Sequence, residues 1–220
     1  MSDRDGKRMC VFGKSRSGKS YYTIQTIKGL SRVLVFDPKL TFKIENPNYT
    51  VIRSLRDFLT FMQAHQRGGF KVVYEPEAYR EESDLHEISK IVWRLQSPYI
   101  ERQGKGYKSD EKLMFVNEEA HEGCPNPPDR KLNGFGKIVK QGGQMGINVI
   151  SVTQRPQDMS KFIRENVDRI ACFSVSGEDA VETVSRTMMA RDARPTIAEL
   201  KPREFVFWDE IDGWKKCEPL

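Results

Sequence analysis

Eight residues, Gly13 to Ser20, read GKSRSGKS and match the pattern G-x-x-x-x-G-K-[ST]. They stand between an apolar run, Met9 to Phe12, and a stretch of helical character, Tyr21 to Leu30. A strand, a Gly-rich turn and a helix in that order form a phosphate-binding loop. Gly13 and Gly18 let the backbone turn so that successive N–H groups point at one place, and the helix adds the positive end of its dipole. The candidate nucleotide contacts are therefore Gly13, Lys14, Ser15, Arg16, Ser17, Gly18, Lys19 and Ser20. Lys19 is expected to neutralise β/γ-phosphate charge, and the Ser20 hydroxyl to ligate Mg²⁺. A chain built around such a loop is expected to bind a nucleoside triphosphate.

Apolar and β-branched runs recur along the chain at Met9–Phe12, Arg32–Phe36, Thr50–Ile52, Lys71–Tyr74, Leu113–Val116, Asn148–Thr153, Arg169–Val175 and Glu204–Trp208. These read as strands. Between them, Arg56–Gln66 follows a Ser54/Asp57 capping pattern, Ser83–Gln96 has apolar residues at helical spacing, and Glu178–Met189 opens with acids after Gly177. The alternation predicts an α/β fold with a mostly parallel central sheet and helices on both faces. At 220 residues the chain fits one such domain, residues 1–220. No apolar stretch reaches the roughly 18 to 20 residues that cross a bilayer, and the start, MSDRDGKRM, lacks a signal-peptide core. A cytoplasmic setting with no transmembrane segment is the expectation. Cys10, Cys124, Cys172 and Cys217 are scattered with no C-x-x-C pair and read as reduced, mostly buried thiols. The net charge of +5 is compatible with a polyanionic partner but does not establish one, because Lys and Arg are spread along the chain. The polar segment Glu101–Lys112, ERQGKGYKSDEK, reads as a solvated loop or, alternatively, as a loop that faces DNA.

Two further strand ends carry chemistry. In LMFVNEEAH, Leu113 to His121, a buried strand delivers Glu118 and Glu119 to its C-terminal edge. Hydrolysis of a triphosphate needs one carboxylate for the metal's water shell, here Glu118, and a second as base for the attacking water, here Glu119. His121 is either a coupling residue or a surface side chain. In INVISVTQRPQDM, Ile147 to Met159, a strand ends in Gln154, placed to hydrogen-bond the γ-phosphate or the water, and Pro156 stops it. The expected catalytic group is thus Glu119, Lys19 and Gln154, with ATP and Mg²⁺ as ligands and Ser20 and Glu118 on the metal.

VFGKSRSGKS, VFDPK, FVNEEAH and ISVTQRP, in this order and spacing, resemble the FtsK-HerA superfamily of DNA-pumping ATPases. The short form of the chain is most similar to the genome-packaging ATPases of icosahedral viruses with an internal membrane. The resemblance spans Met9 to about Val175. It implies a P-loop NTPase of the ASCE type, with an extra strand between the loop strand and the acidic strand. It further implies a homo-hexameric ring that passes double-stranded DNA, docks on capsid vertex or viral membrane proteins, and works in the host cytoplasm and the virion. Asp37-Pro38-Lys39 is similar to a family element near the nucleotide, which makes Asp37 a candidate contact, although a plain turn residue reads equally well. Family members carry aspartate where this chain has Glu118. They also carry a basic residue before the sensor strand that reaches the neighbouring subunit, whereas Gly143 stands there in Gly142–Gly146. Arg130, Lys140 and Arg155 are the remaining candidates for that trans finger. An assembly or secretion ATPase of the filamentous-phage export type and a cellular HerA-like DNA-processing translocase are the alternative readings. The alternating aromatics Phe205, Phe207 and Trp208 read as packing more than base stacking, and Lys215–Leu220 as an exposed tail.

Overall fold

The structure is a computed structural model that describes residues 7–40, 42, 46, 48–66, 68–99, 112–127, 129 and 131–219. Nine strands make one sheet: β1 (Arg8–Phe12), β2 (Arg32–Phe36), β3 (Thr50–Ile52), β4 (Phe70–Tyr74), β5 (Leu113–Asn117), β6 (Ile147–Thr153), β7 (Arg169–Phe173), β8 (Phe205–Asp209) and β9 (Gly213–Cys217), in the order β3-β4-β2-β5-β6-β1-β7-β8-β9. Strands β3 to β7 in that order pair in parallel. The last two close the sheet antiparallel. Central strands buried on both sides must be apolar almost throughout, and β2, RVLVF, is buried at every position.

The helices are α1 (Lys19–Ile27), α2 (Leu55–Ala64), α3 (Glu81–Gln96), α4 (Ala120–Gly123), α5 (Gly134–Gln141), α6 (Lys161–Arg164), α7 (Glu178–Thr187) and α8 (Arg194–Ala198). They cover the two faces unequally. Cys10, Phe12, Leu34 and Phe36 point into a large core with Phe58 and Met62 of α2, Leu85, Ile88 and Val92 of α3, Phe135 and Ile138 of α5, and Val184 of α7. The alternate residues Met9, Val11, Val33 and Val35 meet a smaller cluster with Ile27 of α1, Phe42 and Tyr49. The period-two split along each strand is what puts helices on both faces. Ser54 caps α2 as its pattern predicts, its hydroxyl accepting from Asp57 N at 3.1 Å.

The C-terminal end departs from the sequence reading. Lys215 to Cys217, expected in an exposed tail, lie in β9, because Gly213 takes φ 74° in the turn and lets the chain pair back along β8, with Trp214 opposite Trp208. Phe205 stacks on Phe173 with ring centroids 5.0 Å apart and Tyr22 leans on it at 5.3 Å. These aromatics pack, as expected.

Candidate nucleotide and catalytic site

Strands β1, β5 and β6 all end at the same sheet edge, with β6 between the other two. The C-terminal edge of a parallel sheet is where such folds assemble a ligand site. The loop after β1 is tied down from two sides, Gly13 N donating to Thr153 O at 3.3 Å and Lys14 N to Ser174 O at 2.8 Å. Its tight path depends on glycine. At Gly13 (φ +155°) a Cβ would lie 2.6 Å from Ser17 Oγ and 2.8 Å from Phe173 Cβ, and at Gly18 (φ +114°) 3.0 Å from the Phe173 ring. Inside the loop the Ser17 hydroxyl is buried with no hydrogen-bond partner among the described residues. Lys19 is buried and its ammonium donates to Lys14 O at 3.0 Å. Burial pushes its pKa down, the charges of Glu119 and Glu118 oppose this, and Lys39 adds to the depression. A buried cation, an unused buried hydroxyl and a backbone cradle fit a phosphate group.

Glu118 follows β5 and is held by its backbone N–H, which donates to Phe36 O at 2.9 Å. Glu119 comes next in the left-handed region, φ 44° and ψ 53°, as the residue before α4. That conformation costs an ordinary residue about 1 to 2 kcal/mol and turns the side chain inward. The carboxylate is buried, and its Oε1 accepts from Lys39 Nζ at 2.7 Å and from Gln154 Nε2 at 2.8 Å. Burial alone would raise its pKa. The bonds from Lys39 and Gln154 and the charges of Lys39 and His121 outweigh it and hold the group ionised. His121 is half-buried, not a surface side chain: its Nδ1 lies 2.9 Å from Thr153 Oγ1 and 3.4 Å from Glu119 Oε2. The hard oxygen donors Ser20, next to Lys19 in the chain, and Glu118, whose charge acts on Lys19, suit Mg²⁺, which takes few protein ligands beside phosphate and water.

The site therefore brings together Lys19, Glu118, Glu119 and Gln154. Asp37 is buried and its carboxylate serves its own turn, accepting from Lys39 N at 3.1 Å and Phe42 N at 2.7 Å. The residue of that turn that reaches the site is Lys39, which the sequence reading left unassigned. Its signal lay in the Asp-Pro pair, since an aspartate that caps a turn begun by proline fixes the residue two positions on. Of the finger candidates, Arg155 is 67% exposed at its side chain and lies 3.7 Å from Asp158, Lys140 is exposed in the last turn of α5, and Arg130 is outside the described residues. The Gly142–Met145 stretch is a 3₁₀ turn ending at Gly146, which takes φ 68°. Of Glu101–Lys112, read as a solvated or DNA-facing loop, residues 101–111 are also outside the described residues.

A phosphate loop, a carboxylate strand and an intervening strand with a polar end define a P-loop NTPase fold of the ASCE arrangement. No protein-family model matches the chain, and no curated protein matches it. Among solved structures the chain is similar over its whole length to the genome-packaging NTPase B204 from Sulfolobus turreted icosahedral virus 2 in complex with ATP-gammaS, with 17% identity, 100% of each chain covered and a TM-score of 0.74. B204 described as the DNA-packaging ATPase from Sulfolobus turreted icosahedral virus gives 17% identity, 100% coverage of both chains and a TM-score of 0.72. VirB4 of Thermoanaerobacter pseudethanolicus gives 10% identity, 100% and 91% coverage and a TM-score of 0.65. At 10% to 17% identity these likenesses concern the fold. Among the described residues no helix is long and apolar enough to cross a membrane.

Proposed function

We propose that the chain is a single-domain ATPase that drives double-stranded DNA through a homo-hexameric ring and packages a viral genome into a preformed capsid. The observation that carries the ATPase reading is the ionised Glu119 hydrogen-bonded to Gln154 beside the phosphate loop. The packaging reading is supported by full-length similarity to B204.

The residues divide the work. The loop N–H groups and Lys19 bind the β- and γ-phosphates; Ser20 and Glu118 would hold Mg²⁺, which when bound would neutralise phosphate charge. Glu119 takes the proton of the water that attacks the γ-phosphorus, ADP leaves with the electrons of the broken bond, and Gln154 orients the water. Loss of the γ-phosphate is sensed through Gln154 and moves DNA-contacting loops toward the ring centre. Capsid vertex or viral membrane proteins dock the ring, in the host cytoplasm and then the virion.

The test is the steady-state ATP hydrolysis rate with and without long duplex DNA, at low and moderate salt, beside Glu119→Gln. A DNA-coupled motor gives stimulation that falls steeply with salt through counterion release and vanishes in Glu119→Gln. Hydrolysis indifferent to DNA turns the reading toward an export-type ATPase.

A further inference from the structure

Lys39 does not lie in the loop or on either acidic or sensor strand, yet its ammonium holds the carboxylate that the proposed reaction needs as a base. The pair is asymmetric. Glu119 is 6% exposed and fixed by its left-handed backbone and by Gln154, whereas Lys39 is 43% exposed at its side chain. The root of Lys39 is fixed as well, because both oxygens of Asp37 accept backbone N–H groups of its turn, and Leu40 at φ 59° closes it. Only the four-carbon arm of Lys39 is free to change partner.

What it holds matters chemically. Glu119 Oε1 accepts from both Lys39 and Gln154. An oxygen that already accepts from both has its lone pairs engaged, and it must give up one of these partners before it can accept from a water. Around it stand Lys19 from α1, Lys39 from the turn after β2, Gln154 from the end of β6, and Glu118 and His121 from its own segment. Lys39 Nζ lies 2.7 Å from Glu119 Oε1, the carboxylate that the proposed reaction sets before the γ-phosphate, so the ammonium is within an arm's reach of that phosphate.

We propose that Lys39 is a positioning residue that exchanges partners: without nucleotide it pins Glu119, and when ATP binds it moves to the terminal phosphate, so the base is freed only in front of a triphosphate. A diphosphate offers no terminal phosphate to compete with Glu119, and Lys39 stays where it is. This inference rests on the nucleotide-site reading above.

The test compares ATPγS and ADP affinities, by calorimetry with Mg²⁺, for the unaltered chain, Lys39→Met, Glu119→Gln and the double variant. Lys39→Met is expected to weaken ATPγS about tenfold and ADP less than about threefold, the loss of one charged hydrogen bond. Glu119→Gln removes the competing partner, so it tightens ATPγS by about tenfold where Lys39 is present and by less than about threefold in the Lys39→Met background. Equal weakening of both nucleotides by Lys39→Met, or the same effect of Glu119→Gln in both backgrounds, overturns the exchange. ADP binding by each variant reports that the site is intact, and Lys39→Gln repeats the comparison should Lys39→Met not fold. An unaltered chain that binds neither nucleotide overturns the site reading itself, and the exchange with it.

Discussion

Replacing Gly18 by alanine perturbs a loop residue whose positive φ and missing side chain are both required. At φ +114° an L-residue is strained by about 1 to 2 kcal/mol. The new Cβ would sit 3.0 Å from one ring carbon of Phe173 and 3.3 Å from another, and that ring is fully buried and stacked on Phe205, so it cannot swing away. Overpacking of this kind costs about 1 to 3 kcal/mol. The stiffer unfolded chain returns about 0.4 to 1 kcal/mol. The expected net loss is about 3 kcal/mol, which lowers Tm by about 6 to 12 °C in a domain of this size. Urea and thermal unfolding followed by circular dichroism measure it. The decisive comparison is the same substitution in a Phe173→Leu background, where the ring contact is gone and only the backbone strain of about 1 to 2 kcal/mol remains. If Gly18→Ala costs the same in both backgrounds, or less than about 1 kcal/mol in the first, the steric account of the loop is wrong.

Glu119→Gln keeps the shape of the side chain and is expected to lower phosphate release by about 10² to 10⁴, with ADP affinity retained. Gln154→Ala removes a donor to Glu119 Oε1 at 2.8 Å and is expected to reduce turnover by about tenfold to a hundredfold while leaving ADP affinity unchanged in the same binding assay. Because the folded-state pKa of Glu119 lies below its ordinary value of 4.5, its ionised form contributes stability above 4.5 that is lost as pH falls through the lower folded value. Thermal melts from pH 7 downward should therefore show the unaltered chain losing stability relative to Glu119→Gln only below that ordinary value, and a difference that does not change with pH contradicts the assignment. Arg130→Ala or Lys140→Ala is expected to abolish turnover with ATP binding intact, and normal hydrolysis by both variants removes them as trans fingers.

Much of the fold was legible because buried parallel strands leave near-continuous apolar runs, and β2 and β3 end where Arg32–Phe36 and Thr50–Ile52 do. Strand β9 was not legible. GWKKC has only one large apolar residue, and its pairing comes from the Gly213 turn and a preformed β8 edge, which are tertiary. Helix α5 was obscured by its start, since Asn133-Gly134-Phe135-Gly136 carries turn residues, and Gly134 is there because a Cβ would lie 2.6 Å from His86 O. In the site, spacing exposed the loop and Glu118-Glu119, whose chemistry is local to each motif. Lys39 and the contact between His121 and Thr153 depend on which strands become neighbours, and no pattern within one segment records that.

The register of the sheet works as a ruler. Asn117 is level with Ser151, and Phe12 with Thr153, so each chemical group leaves the edge at a height set by the hydrogen-bond ladder and not by the segments that connect the strands. A residue inserted or deleted inside β5 or β6 would slide every later group by about 3.3 Å and turn it to the opposite face. The same insertion in the connection between β4 and β5 would leave the spacing of Glu119, Gln154 and the loop unaltered. Length variation among proteins of this architecture should accordingly gather in the connections, where new attachments can be acquired without retuning the chemistry.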